Sequence, residues 1–252
     1  MSDNGYVRTN LSDGIAAIEF FHPKKNSLPG TLLADAAAAI DAAGRDPEAR
    51  VVVLRSGGEG PFCAGASFDE LLAIRTADQG TDFFMGFARL ILAMRACPKF
   101  VVVRLQGKAV GGGVGVAAAA DYALATEGAA IKLSEFALGF GPFVIGPAVE
   151  RKMGVSAFSA MAIDTDWRSA HWAGEKGLYN RVLPSVPELD AAVDAFAAKL
   201  AATNPEAMAK LKAIFWRGTR DWETVLPERA RMSGELVLSE FTSAAIDAFR
   251  RG

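Results

Sequence analysis

Two hydrophobic patterns alternate along the chain before Met153. Short runs rich in β-branched or aromatic residues are typical of buried strands, and we predict strands over 15–21, 51–56, 100–107, 122–126 and 130–133. Apolar residues three and four positions apart predict helices over 32–44, 68–75 and 81–96, and a further helix after the glycines at 111–113. Strands that alternate with helices indicate an α/β fold class with mainly parallel strands.

From about Met153 onward the pattern is helical, with little sign of further strands. The segments 193–204, 205–216 and 221–251 each place apolar residues along one helical face. We therefore predict an α/β core over 1–190 and a C-terminal helical region over 191–252. The apolar faces of this region are expected to pack on the core or on another subunit.

Composition excludes several classes of function. The 252 residues carry a net charge of −2, with acids and bases mixed along the chain. This balance predicts neither nucleic-acid binding nor attraction to an anionic membrane. The start of the chain lacks the apolar segment of a signal peptide, and no apolar run has the length of a membrane span. The two cysteines and two histidines form no zinc motif and fit a reducing compartment, so we expect a cytoplasmic protein without a metal.

Two small-residue loops are the main chemical signal in the sequence. FCAGASFDE (62–70) and GKAVGGGVGVAAAADYALAT (107–126) each lead into a predicted helix. Glycines at 111–113 let backbone N–H groups approach a ligand closely, and a helix N-terminus behind them favours negative charge. If the two loops converge, their backbone donors would form an oxyanion hole.

The glycine segment also permits two other interpretations. The glycines would serve close packing between a helix and a strand. Alternatively, GVGVAA (113–118) matches the dinucleotide-binding fingerprint, with Glu135 as the downstream acid. That fingerprint needs its glycines directly at a strand end, whereas we place five residues, 106–110, between the strand and the glycines.

Reactive side chains are few. Glu135 follows a predicted strand among apolar residues, where it is either solvated or partly buried with a raised pKa that suits proton transfer. Cys63 has no histidine near it in sequence, which favours a buried hydrophobe over a nucleophile. The spacing of Phe83, Phe84 and Phe87 favours core positions, although these rings would also form an apolar pocket wall.

Taken together, these segments resemble the crotonase family, also called the enoyl-CoA hydratase/isomerase family. The resemblance spans nearly the whole chain and depends on the order and spacing of HPKKNSL (22–28), the two loops above, KLSEFALGFGPF (132–143) and KGLYNRVLP (176–184). It implies a crotonase-like spiral of ββα units with a C-terminal helical oligomerisation region that forms a trimer or a dimer of trimers. It also implies an acyl-CoA thioester substrate, with coenzyme A as part of that substrate and no other cofactor.

The resemblance assigns the catalytic groups residue by residue. The family's two backbone donors fall on Ala66 and Gly112, and its proton-transferring glutamate falls on Glu135. The second glutamate of the hydratases falls on Gly115, which carries no acid. The resemblance therefore favours double-bond isomerisation by Glu135 alone. The alternatives are an enoyl-CoA hydratase, another CoA-ester lyase or decarboxylase, and a non-catalytic CoA-ester binding protein.

Substrate-binding residues are assigned in the same way. Lys24 and Lys25 match the loop that coenzyme A approaches, although PKKN is one residue shorter than usual there. Phe143 stands where other members carry glycine or aspartate, so it supplies no acid and narrows the acyl pocket. Arg250 or Arg251 are further candidates for the CoA phosphates. The remaining substrate-binding positions implied by the resemblance are Ala64, Phe68, Phe84 and Gly111.

Overall fold

The computed structural model describes residues 5–251, except for the side chains at 247 and 249–251. Strands of the described residues form two sheets and comprise β1 (Tyr6–Ser12), β2 (Ile15–Phe21), β3 (Val51–Ser56), β4 (Val101–Leu105), β5 (Ala109–Val110), β6 (Tyr122–Thr126), β7 (Ile131–Lys132) and β8 (Arg181–Leu183). The main sheet has the order β1-β2-β3-β4-β6-β8, and β5 pairs with β7 in a small second sheet. Only β1 and β2 are antiparallel among these neighbouring strands.

Helices of the described residues follow the strands and then continue to the C-terminal region. They are α1 (Gly30–Arg45), α2 (Phe68–Ala73), α3 (Ala77–Ala96), α4 (Gly112–Ala119), α5 (Gly146–Asp164), α6 (Ala170–Glu175), α7 (Val186–Ala201), α8 (Pro205–Phe215), α9 (Trp222–Leu236) and α10 (Glu240–Arg251), with a 3-10 turn at Phe136–Leu138. Side-chain caps fix several starts: Ser67, Thr76 and Asn204 each accept a hydrogen bond from a first-turn N–H group.

The main sheet is covered on both faces, which explains the continuous apolar runs of its central strands. On one face, Val52 and Leu54 of β3 belong to the large core that includes Ile40 of α1 and Leu90 of α3. On the other face, Val51 and Val53 pack with side chains of α7 in a second cluster. Strands buried in this way are typical of parallel sheets between helices.

The predicted α/β fold and its spiral of ββα units are confirmed. The chain runs β1–β2–α1, then β4–β5–α4, then β6–β7–α5. The repeat of the spiral that begins with β3 has no second strand in the described structure. A single β-bridge between Cys63 and Ala109 stands in its place. The units β4–β5 and β6–β7 each add one strand to the main sheet and one to the small sheet, whereas β1 and β2 both belong to the main sheet.

Several elements differ from the prediction. The strand predicted at 15–21 is present as β2, but it is preceded by β1, because the polar segment 6–12 forms an edge strand that is mostly exposed. After Met153, where we expected little strand structure, the chain forms one further strand, β8, inside the predicted core. The gap that we placed between strand and glycines contains β5, which ends directly before Gly111, although β5 belongs to the small sheet.

The division into 1–190 and 191–252 stays a prediction. Residue 190 lies inside α7, whose buried residues Leu189, Val193 and Ala197 pack on the main sheet. Across the described residues, every helix is too short or too polar to cross a membrane.

Candidate active site

A cavity opens beside the small sheet, between the loop at 63–67, the start of α4 and the segment 134–145. Its empty volume is about 670 Å³, counting the space at its open mouth. The structure brings most of the predicted site residues to this one cavity, which is lined by Ala64, Ala66, Phe68, Phe84, Gly111, Gly112, Glu135 and Phe143. Lys24 and Lys25 do not line it.

Backbone hydrogen bonds of the small sheet hold the three chain segments together. The Val110 N–H donates to the Cys63 carbonyl at 2.9 Å, and the Gly111 N–H donates to the Lys132 carbonyl at 2.9 Å. On the other side of the loop, Leu28 bridges Ala66. The loop of Ala66, the glycine segment and the chain leading to Glu135 are therefore parts of one hydrogen-bonded frame.

Two backbone N–H groups at the cavity have no partner among the residues that the structure describes. Gly112 is the first residue of α4, where an N–H has no acceptor within the helix. Ala66 lies between Gly65 and Ser67. The Gly65 carbonyl accepts a hydrogen bond from the Leu28 N–H, and the Ser67 N–H donates to the Leu28 carbonyl. The Ala66 N–H takes part in neither bond. Neither N–H bonds to any residue that the structure describes. The cavity thus offers two free donors, one of them at the positive end of a helix dipole.

The Glu135 carboxyl group lies directly against the backbone of Gly111. A Cβ atom built on Gly111 would be 2.8 Å from Glu135 Oε1, and Gly111 has a φ of +52°. Both the close approach and the left-handed conformation require glycine here. Glu135 Oε2 is buried and has no hydrogen-bond partner in the described structure.

Burial also sets the protonation of Glu135. Loss of solvation raises the pKa of its carboxyl group to about 7, although the nearby backbone N–H groups of Ser134 and Glu135 oppose the shift. Of the two interpretations left open by the sequence, the structure supports the buried carboxyl with a raised pKa.

Comparison with known proteins identifies the family. The family model described as enoyl-CoA hydratase/isomerase matches residues 10–249 of this chain. The chain belongs to the enoyl-CoA hydratase/isomerase family. A crystal structure of an enoyl-CoA hydratase from Mycobacterium avium subsp. paratuberculosis K-10 aligns with a TM-score of 0.85 and 27% identity, covering 96% of this chain and 97% of that one.

Two of the curated relatives are named for different reactions. A probable enoyl-CoA hydratase of Rhodobacter capsulatus is 28% identical over 246 residues, which cover 96% of this chain and 94% of that one. A (7aS)-7a-methyl-1,5-dioxo-2,3,5,6,7,7a-hexahydro-1H-indene-carboxyl-CoA hydrolase of Rhodococcus jostii is 34% identical over 131 residues. That second match spans 52% of this chain and 50% of the hydrolase.

The space beside Gly115 is occupied by the side chain of Ile145. A Cβ atom built on Gly115 would be 2.4 Å from Ile145 Cγ2 and 2.6 Å from Ile145 Cβ. A larger residue at 115 would therefore collide with Ile145. Glu135 is the only titratable side chain among the described residues that line the cavity.

Lys24 and Lys25 lie beside the cavity's loop instead of inside the cavity. The Lys25 carbonyl accepts a hydrogen bond from the Ala64 N–H at 3.2 Å, and both lysines are exposed. The Lys24 ammonium group forms an exposed ion pair with Asp69 of α2. Arg250 and Arg251 have side chains outside the described residues.

Sequence reasoning missed several residues of the cavity wall. Phe140 and Ile145 line the cavity and were not assigned to it, whereas Phe83 and Phe87, which we favoured as core but also considered as a pocket wall, line it as well. Ser233 reaches it from α9, because α3 and α9 touch at Gly80 and Gly234, where a Cβ on Gly80 would be 2.7 Å from Gly234 Cα. The apolar run around 140–145 is a local sequence signal for part of this wall. The sequence around Ser233 contains no such signal.

Within the described part of the chain, neither the Cys63 thiol nor a cluster of metal-binding side chains adds a reactive group to the cavity. Burial raises the pKa of the Cys63 thiol to about 12, so it is a protonated, fully buried side chain as the sequence favoured. Among the described residues, no three histidine, cysteine or acidic side chains cluster in a way that would hold a metal ion.

Proposed function

We propose that this protein forms enolates of acyl-CoA thioesters and uses them to move a carbon–carbon double bond. The observation that carries the proposal is the shared cavity of two unpartnered backbone donors and one buried carboxyl group. A thioester carbonyl placed between Ala66 and Gly112 would accept both N–H groups. Its α-carbon would then lie toward Glu135.

The reaction would proceed through a dienolate. The Glu135 carboxylate removes a proton from C2 of a 3-enoyl-CoA, and the electron pair shifts onto the thioester oxygen. The two N–H groups stabilise that negative charge, and each such donor is typically worth about 3–4 kcal/mol in the transition state. The protonated carboxyl then returns the proton at C4, which leaves a double bond between C2 and C3. A pKa of about 7 suits a group that must both accept and return a proton.

Isomerisation is favoured over hydration because one carboxyl group suffices for it. Hydration of a 2-enoyl-CoA needs one group to activate water and another to deliver a proton. The second acid is missing at Gly115, and Ile145 fills the adjoining space. Hydration is the activity named for the Rhodobacter relative, and for this chain it would require Glu135 to perform both tasks.

A CoA-ester hydrolase is a second candidate. The Rhodococcus relative, named as a hydrolase of a bicyclic dioxo carboxyl-CoA, shares 34% identity with this chain over about half its length. Addition of water to a β-keto group, followed by carbon–carbon cleavage, releases a thioester enolate. The same two donors would hold that enolate.

Product masses separate these reactions. The wild-type protein is incubated separately with 3-enoyl-CoA, 2-enoyl-CoA and β-ketoacyl-CoA esters, and the products are followed by mass spectrometry and chromatography. We expect the 3-enoyl ester to give a 2-enoyl product of equal mass. The variant Glu135→Ala should lose this conversion, whereas Glu175→Ala, at an exposed glutamate, should retain it.

A 3-enoyl ester that stays unchanged would contradict isomerisation. In that case, gain of one water by the 2-enoyl ester indicates hydration, and cleavage of the β-ketoacyl ester indicates the hydrolase. Binding of all three esters without turnover would leave the CoA-ester binding protein as the remaining candidate.

We also infer that the chain self-associates, as the resemblance implies. Phe136 and Phe241 are 61% and 67% exposed, and Phe241 packs against Gly139, three residues after Phe136. Exposed aromatic residues are enriched in protein interfaces. A trimer or dimer of trimers is expected by light scattering, and a monomer would contradict this inference.

A further inference from the structure

The inner wall of the cavity is made largely of phenylalanine rings. Six of them line it: Phe68, Phe83, Phe84, Phe87, Phe140 and Phe143. Phe84 stands at the centre of this aromatic wall. Its ring is edge-to-face with Phe83 at a centroid distance of 5.1 Å and tilted against Phe140 at 5.3 Å. Rings fixed in this way present both edges and faces to a ligand.

Polar groups are scarce in the same wall. Besides Glu135, the polar side chains among the described lining residues are Ser134 and Ser233. The Ser233 hydroxyl donates to the Arg229 carbonyl of its own helix at 3.2 Å. None of these lining residues carries a positive charge, so an acyl group ending in a carboxylate would lose its hydration without gaining a counterion.

Two close contacts adjoin the lining residues. Next to Ser233, the backbones of α3 and α9 touch at Gly80 and Gly234. In the segment 134–145, the Phe143 ring folds against Gly141, where a built Cβ would be 2.4 Å from the ring. The wall beside these residues is therefore closely packed.

We propose that the acyl group of this protein's substrates carries a compact six-membered apolar ring, held against the aromatic wall. The proposal rests on the proposed function only in assuming a CoA thioester. A planar ring can lie against the exposed edges and faces of these phenylalanines, and it enters the cavity with few rotatable bonds to immobilise. A linear chain of the same carbon number loses more conformational freedom for the same contact.

Binding of unreactive saturated esters tests this without relying on catalysis. Dissociation constants are measured by calorimetry for phenylacetyl-CoA and for octanoyl-CoA, which has the same number of acyl carbons. Hexadecanoyl-CoA and glutaryl-CoA supply the long and the charged acyl groups. We expect phenylacetyl-CoA to bind about tenfold more tightly than any of the other three.

Each other result has a definite meaning. Equal or tighter binding of octanoyl-, hexadecanoyl- or glutaryl-CoA would overturn the ring proposal and leave the proposed function standing. Failure of every ester to bind would overturn both.

Variants then locate the ring. Phe84→Leu should weaken phenylacetyl-CoA roughly three- to tenfold more than octanoyl-CoA, because a ring–ring contact is lost. Phe215→Leu, at an exposed ring on α8 away from the cavity, should change neither constant. Equal weakening of both esters by Phe84→Leu would contradict the proposal. Phe143→Leu repeats the test at the other side of the cavity and covers the case in which Phe84→Leu fails to fold.

Discussion

At the scale of single residues, the carboxyl group of Glu135 is placed for the proposed proton transfer, and its burial lowers the free energy of unfolding. Its carboxyl group is placed against Gly111, with Oε2 buried and unpartnered. That environment raises its pKa from an ordinary value of 4.5 to about 7. The folded protein therefore holds a proton on Glu135 between these pH values, whereas the unfolded chain releases it.

This difference gives the stability a calculable dependence on pH. Above pH 7 the folded state must bury a carboxylate, and its free energy of unfolding is reduced by up to about 3 kcal/mol relative to a neutral side chain. We expect Glu135→Gln to be more stable than wild type at pH 8, and the gain to shrink as the pH falls from 7 to 4.5. Urea unfolding across this range is the measurement.

The exposed Glu175 provides the control for that experiment. Glu175→Gln should show no pH-dependent gain, because its side chain is solvated in both states. A Glu135→Gln variant as stable as wild type at every pH would mean that the carboxyl group is not held in an apolar site.

At the scale of elements, the start of α4 supplies one donor of the proposed oxyanion hole. A direct test must remove the Gly112 N–H without adding a steric clash. A Cβ at Gly112 would be 2.2 Å from the Phe87 ring, so any substitution there disturbs Phe87 as well. The test therefore needs a background in which that ring is absent.

The matched pair is Gly112→Ala and Gly112→Pro, both in a Phe87→Leu background. Both add a side chain at the same place, and proline is well tolerated at the first position of a helix, but only proline lacks the N–H. We expect turnover of the proline variant to be about 10²–10³-fold below that of the alanine variant. Equal turnover in two variants of similar melting temperature would remove Gly112 from the mechanism.

Elements with a strong local signal were predictable from the sequence, and so were several residues that line the cavity. The apolar run VVVLRS predicted β3, and the two loops and Glu135 were recognised and converge on one cavity. The exposed edge strand β1 and the three-residue β8 lack an apolar run of their own. The packing of Ile145 against Gly115 and the position of Ser233 beside α3 arise from contacts between segments distant in sequence. Local periodicity does not encode such contacts.

At the scale of the whole molecule, a buried ion pair fastens the C-terminal helices to the core. Lys212 of α8 contacts Asp121 at 2.7 Å and donates to the carbonyls of Met94 and Lys99, each at 2.8 Å. Asp121 also accepts a hydrogen bond from the Trp216 indole at 2.9 Å. The Lys212 and Asp121 side chains are 3% and 5% exposed. Water therefore cannot solvate one charge if the other is removed.

Removing one partner should therefore leave a buried charge. We expect Lys212→Met to lower the free energy of unfolding by about 3–5 kcal/mol. Lys210→Met, two residues away in the same helix, breaks an exposed pair with Glu206 and should cost less than about 1 kcal/mol. Chemical denaturation of the two variants measures both free energies of unfolding. Similar decreases in the two variants would mean that the Lys212–Asp121 pair does not hold α8 on the core.

The most direct test of the mechanism measures turnover of a 3-enoyl-CoA against pH in wild type and Glu135→Gln. A carboxylate that acts as the only base predicts wild-type turnover that rises as the pH passes through about 7 and then levels off. It also predicts a loss of about 10²–10⁴-fold in the glutamine variant, with binding of the ester retained. A glutamine variant that keeps wild-type turnover and the same pH profile would contradict Glu135 as the proton carrier.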